Sequence, residues 1–183
     1  MEGNIRRYGF AAQLAYSKQQ RGSTRLVEIL GQRIPGYTQV VMAETSDDLQ
    51  GTDYWVTRNG VPALSVDLKA RREDCLTHGN DDLALETWSK KPVAGQQGRA
   101  GWTRDSSKWT DYVVWYWEDT GRFFIVPFPP LCAVFSRRWE RWSQTYRVAT
   151  QQSDSWQSEC VFVPRVLVQR SIEQWASGSV KVQ

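Results

Sequence analysis

Asn59 and Gly60 stand between two runs in which polar and apolar residues alternate, TDYWVTR (52–58) and PALSVDLKAR (62–71). Asn-Gly is the strongest short hairpin signal, because a two-residue type I′ turn needs both central residues at positive φ and these two tolerate it. The two runs are therefore expected to be antiparallel neighbours. Alternation then sorts each run into two faces. In the second run Leu64, Val66 and Leu68 point one way, and Ser65, Asp67 and Lys69 the other. In the first, Tyr54 and Val56 oppose Asp53, Trp55 and Thr57. One face of the hairpin reads as core, and the other presents an acid-x-Lys sequence.

An ion pair on a solvated strand face would account for Asp67 and Lys69 at about 0–1 kcal/mol and with no chemical consequence. Asp53 changes the picture, since hairpin pairing can bring it onto the face of Asp67. Two carboxylates held close repel each other unless a cation sits between them. A hard divalent metal ion is such a cation.

Around this hairpin the chain reads as one mixed α/β domain over residues 1–183, without repeats or low-complexity tracts. Helical spacing over Ile5–Gln20 predicts a first helix, and Ser23 or Thr24 could cap a second whose buried stripe is Leu26, Ile29 and Leu30. Strands are expected at 37–43 and 82–89 in addition to the hairpin, and 90–108, rich in glycine and polar residues, reads as a long loop. A second hairpin is expected from 110–118 and 122–129, its first strand apolar on both faces and hence central. Pro129 and Pro130 open a helix over 130–148 in which Leu131, Phe135, Trp139, Trp142 and Tyr146 line one side, with Arg137, Arg138 and Arg141 outside. A strand at 160–168 and a short helix around Ser171–Ala176 complete the expectation.

Composition removes several classes of function. His78 is the only histidine, which excludes histidine-metal nucleases and the histidine-dependent triads. Cys75-x-x-His78 has no second ligand pair nearby, and there is neither a phosphate-cradling nor a dinucleotide glycine motif. Three widely spaced cysteines form neither a disulfide framework nor a zinc quartet, which fits a reducing, cytoplasmic setting. The opening residues lack the apolar core of a signal peptide, and no run approaches the roughly 18 apolar residues of a membrane span. A net charge of +3 allows a polyanionic partner without requiring one.

The order Asp53, hairpin, Asp67-Leu68-Lys69 resembles the PD-(D/E)XK nuclease superfamily, whose signature is an acid on the second core strand and an acid-x-Lys on the third. The resemblance extends to a preceding helix that carries an acid, here Glu28, and to a helix followed by a strand, here 130–148 and 160–168. It covers about residues 20 to 168. Thr52 stands where the signature proline would be, and position 67 carries Asp where Glu is more frequent.

The resemblance implies a restriction-endonuclease-like mixed β-sheet flanked by helices, and a Mg2+-dependent DNA endonuclease in which Mn2+ can substitute. Asp53, Asp67 and the carbonyl of Leu68 would hold the metal, with Glu28 or Glu86 completing the site. Lys69 would orient or help deprotonate the attacking water. In small phage and junction-resolvase-like members an extra acid-bearing strand often follows the acid-x-Lys strand. ALETWSKKP with GWTRDSSKWTDYVVWYW looks like that pattern, and would make Glu86, Trp88, Ser89 and Lys108 neighbours of the site. Relatives include RNA-cutting enzymes, but most act on DNA, often as dimers. The lack of a sequence-reading module favours structure-specific or weakly specific cutting.

Between Trp88 and Trp109 lie Lys90, Lys91, Arg99, Arg104 and Lys108 against one acid, Asp105, with Trp102 and several glycines interleaved. Cations neutralise phosphates and an aromatic ring can stack on an unpaired base, so this composition suits a nucleic-acid-binding loop. The alternative reading is a non-catalytic nucleic-acid-binding or protein-interaction module on the same fold.

Overall fold

The structure, a computed structural model, describes residues 28, 31, 39–44, 46–47, 50–152 and 156–178 of the 183. The helix expected at Ile5–Gln20 lies outside the described residues, and of the second expected helix Glu28 and Gly31 are described, both helical. The remainder is a mixed α/β arrangement of two sheets and two helices. No helix among the described residues is long and apolar enough to cross a membrane.

The first sheet is built on the hairpin. β2 (Tyr54–Arg58) and β3 (Val61–Arg71) are antiparallel and joined at Asn59 and Gly60, whose φ angles of 52° and 77° suit the type I′ turn. β1 (Gln39–Met42) pairs with the outer side of β2. β6 (Tyr112–Trp117) runs parallel to β3, and β7 (Phe123–Pro127) returns antiparallel to β6. The order is β1-β2-β3-β6-β7. Five of the six β6 residues are buried, as a strand apolar on both faces must be when it sits inside a sheet.

The expected fourth strand does not join this sheet. β4 (Asp82–Lys90) heads a separate antiparallel sheet of order β5-β4-β9-β8, with β5 at Arg99–Ala100, β8 at Val148–Gln152 and β9 at Gln157–Pro164. The segment read as one long loop thus contains β5 and a 3-10 turn, Trp102–Arg104. The helix α1 (Phe128–Thr145) starts and ends earlier than expected, because Val148 opens β8. The strand expected over 160–168 stops at Pro164, and α2 (Arg165–Ala176) begins there. Proline carries no N–H to extend a ladder, and Val168 and Ile172, one helical turn apart, bury where Val166 stays exposed.

Two cores lie on opposite faces of the first sheet. Tyr54, Val56, Val66, Leu68, Ala70, Val114 and Tyr116 form one. Val113, Trp115 and Trp117 join the other, with Leu83, Leu85, Val161 and Val163 of the second sheet and the apolar sides of both helices. Leu131, Phe135 and Trp142 are buried on α1, and Arg137 and Arg141 are exposed on it. Asp67 and Lys69 lie on the same face of the first sheet as Val113 and Trp115, their parallel partners on β6. Both faces of β3 are therefore covered.

The two sheets are also tied by charge. Arg122, just before β7, donates Nε and Nη2 to Asp74 at 2.5 and 2.6 Å and Nη1 to Asp81 at 2.8 Å, and Arg165 donates Nε to Asp81 at 2.7 Å. The Arg122 guanidinium carbon lies 3.8 Å from the ring centre of Trp117. Asp74 is only 1% exposed, and Arg122 holds its carboxyl below the usual carboxylate range. Replacing Arg122 by Ala leaves that carboxylate buried without its fork of donors and should cost about 3–5 kcal/mol of unfolding free energy near neutral pH. A group whose folded pKa is lowered stabilises above its unfolded value, about 3.9, and ceases to do so as pH falls through the folded value. Urea unfolding should therefore show a wide wild-type advantage over Arg122→Ala at pH 7 that narrows below pH 4; equal midpoints at pH 7 would refute the assignment.

Candidate active site

The β2–β3 ladder ends at Tyr54↔Val66, and Asp53 lies just beyond it, bonded to the residues on either side of Asp67. The ladder carries a bulge. At the turn the pairs are Arg58↔Val61 and Thr57↔Pro62, but the next is Val56↔Leu64, so Ala63 is unpaired and every later pair shifts by one.

Asp53 and Asp67 are 4% and 7% exposed. Asp53 Oδ2 accepts the amide of Leu68 at 2.8 Å, and the Asp53 amide donates to Val66 O at 2.8 Å. The carbonyls of Ser65 and Arg71 accept from Asp111 and Glu118 on the β6 side of β3. Successive residues of a strand turn their polar groups to alternate edges, so the carbonyl of Leu68 faces the edge where the Asp53 carboxylate lies. The Asp53 and Asp67 carboxylates and the Leu68 carbonyl thus belong to neighbouring residues at the open end of the hairpin. All are hard oxygen donors, the set that suits Mg2+.

Lys69 Nζ meets both oxygens of Asp67, at 2.8 and 2.6 Å, and sits 4.3 Å above the ring centre of Trp102. Trp102 also carries Glu86, whose Oε2 accepts the Trp102 amide at 2.8 Å, while the Glu86 amide donates to Thr103 Oγ1 at 2.9 Å. Burial pushes the Glu86 carboxyl up; the Trp102 amide and the nearby charges of Lys69, Lys108 and Arg99 oppose that. Asp67, Lys69, Trp102 and Glu86 therefore form a continuous chain from β3 to β4. It runs along the margin of the core shared by the two sheets.

Local backbone features make this join. A bulge between Glu86 and Trp88 on β4 leaves Thr87 unpaired in the ladder to β9. Its carbonyl accepts instead from the Gly101 amide at 3.1 Å and Arg104 Nε at 2.8 Å. Gly101 is required by this approach, since a Cβ there would lie 2.2 Å from the Glu86 carbonyl oxygen. The Arg104 guanidinium lies 4.1 and 4.2 Å from the rings of Trp88 and Trp139, which meet edge to face at 5.7 Å. Arg104 thus anchors the turn that carries Trp102.

Several residues expected at a nucleic-acid surface make internal contacts. Trp88 packs on Trp139 and Arg104, Ser89 donates to the Ala100 carbonyl at 2.9 Å, and Lys91 pairs with Glu159, which is 8% exposed. Trp102 lies against Trp115 and Phe128. Lys90 and Lys108 are half-buried, and Arg99 is exposed. Glu28 is helical and exposed, and among the described residues no three Asp, Glu, His or Cys side chains stand close enough to hold one ion. Cys75 is exposed, and the Cys160 thiol, opposite Glu86 on β9, is pushed up to about 12 by burial. Such a thiol stays protonated and unreactive.

Trp109, which bounds the basic segment and is not among the residues expected to contact nucleic acid, is 67% exposed. Alternation and spacing give no signal for a single exposed ring at the end of a loop. Comparison with protein-family models, with curated proteins and with solved structures found no match to this chain.

Because burial raises Glu86, its ionised form costs folding stability. That cost is absent below the unfolded value of about 4.3 and complete once pH has passed the raised folded value. Glu86→Gln keeps an acceptor for the Trp102 amide and removes the charge. Thermal unfolding across pH 4–8 should find the variant at least as stable as wild type at the alkaline end and equal to it at the acid end; a variant less stable throughout would show that the charge is wanted.

Proposed function

We propose that this protein is a Mg2+-dependent nuclease of PD-(D/E)XK type, hydrolysing phosphodiester bonds in DNA. The observation that carries the reading is Asp53 bonded to Val66 and Leu68, the residues on either side of Asp67, at the open end of β2–β3, with Lys69 paired to Asp67. In chain order the acid precedes the second strand and the acid-x-Lys is on the third; four strands then come before the helix, and the strands after it join the other sheet, unlike the helix and strand expected to complete one core. Asp53, Asp67 and the Leu68 carbonyl would hold the ion. When bound, Mg2+ supplies positive charge to the phosphoryl oxygens as the transition state develops.

The chain's own groups have separable tasks. Asp53 ties β3 at Leu68, whose amide its carboxylate accepts. Lys69 keeps a cation beside Asp67 and offers N–H donors to an attacking water or a phosphate oxygen. Glu86, lifted by burial, stands near Lys69 with a carboxyl poised to exchange a proton closer to neutrality than an exposed glutamate does. The ring of Trp102 beneath Lys69 limits where the ammonium can go.

The rival is a binding module in which the Asp67–Lys69 pair is structural, and the lack of a three-acid cluster among the described residues favours it. The decisive assay incubates the protein with labelled single-stranded, duplex, flap and four-way-junction DNA and one RNA, with and without Mg2+ or Mn2+. Metal-dependent cutting should fall by about 100-fold or more in Asp67→Ala and in Lys69→Ala, the loss typical when a charge-stabilising group is removed. Folded wild type that cuts none of these substrates would overturn the proposal in favour of the module.

A further inference from the structure

Trp109 leaves two thirds of its surface in water although its backbone is among the most firmly held in the loop. Its amide donates to the Gln50 carbonyl at 3.0 Å, and its carbonyl accepts Thr52 Oγ1 at 2.5 Å. The next residue, Thr110, bonds the Gly51 carbonyl through its hydroxyl. Thr52 and Thr110 are buried, and Gly51 has φ +101°. The loop that delivers Asp53 is therefore clamped to the loop that displays the indole.

Lys108 lies on the same clamp. A Cβ on Gly51 would come within 2.9 Å of Lys108 Cδ, and the Lys108 charge reaches Glu86. An aromatic face and a cation are thus adjacent in the chain, one residue from Asp53 along the clamped strand of contacts. Exposed Arg99 adds positive charge near Glu86. A ring that stacks and a cation that meets phosphate are the two elements of single-strand recognition.

We propose that Trp109 is a stacking platform for an unpaired base, with Lys108 beside it meeting the strand's phosphates, so that the protein engages single-stranded or locally unpaired DNA in preference to continuous duplex. A duplex base is stacked on both faces and offers a protruding indole nothing to cover; a base that has left the stack does. This deepens the nuclease reading and rests on it for the identity of the ligand. Its test is nevertheless independent of cleavage.

Fluorescence anisotropy in EDTA, where metal-dependent cutting is silent, would compare a labelled single strand, the same strand with abasic sites, and a blunt duplex. Trp109→Ala should weaken single-strand binding by about 5- to 150-fold, the range of one lost base–aromatic stack, and Trp109→Phe by less. Neither should alter duplex affinity, and the abasic strand should bind wild type and Trp109→Ala alike. Because the side chain is exposed, circular dichroism should show both variants folded. Undiminished single-strand binding by Trp109→Ala, or no binding by wild type, would overturn the proposal and leave the indole to a protein partner. Loss of stacking without any metal-dependent cutting would instead retain this subsite and sink the nuclease.

Discussion

A carboxylate 7% exposed on a strand covered on both faces needs a cation in contact with it, because removing an unpaired charge from water costs several kcal/mol. Lys69, two residues along the same face, is that cation for Asp67. Much of the surrounding architecture follows from housing the pair. Its ammonium also rests over the ring of Trp102, and Glu86 stands nearby, both from the segment of the other sheet. The turn that supplies Trp102 depends in turn on Gly101 and Arg104.

The site therefore belongs to neither sheet alone. β2 and β3 bring Asp53, Asp67 and Lys69, and β4 with the turn after β5 brings Glu86 and Trp102. What fixes one sheet against the other is a shared apolar core on one side and the Asp74–Arg122–Asp81–Arg165 network on another. A partly buried network anchored on Asp74 adds direction to what apolar contact leaves loose, since each member has a direction as well as a place.

Much of the fold was legible because its signals are local. The Asn59-Gly60 turn, the alternation of β2 and β3, the two-faced apolar β6 and the proline-led α1 all follow from a few neighbouring residues. The errors came where a local pattern serves two structures. VPRVLV, rich in valine, reads as the continuation of a strand, yet Pro164 ends the ladder and the burial of Val168 and Ile172 imposes the helical period. The basic, tryptophan-bearing loop had the composition of a nucleic-acid surface, but composition cannot distinguish an arginine that faces phosphate from Arg104 stacked between two indoles.

From the sequence alone came the hairpin, the separation of its faces and the candidacy of Asp53, Asp67 and Lys69, because turn chemistry and strand alternation operate over a few residues. Only the tertiary structure decided that Ala63 bulges and that Asp53, just beyond the last β2–β3 pair, bonds Val66 and Leu68 on either side of Asp67. It also decided that β4 forms a second sheet whose Glu86 reaches Lys69, and that Trp109 rather than Trp102 stands in solvent. Those outcomes depend on which distant segments compete for the same surface, and a one-residue slip or a change of sheet leaves the local pattern unchanged while moving every side chain.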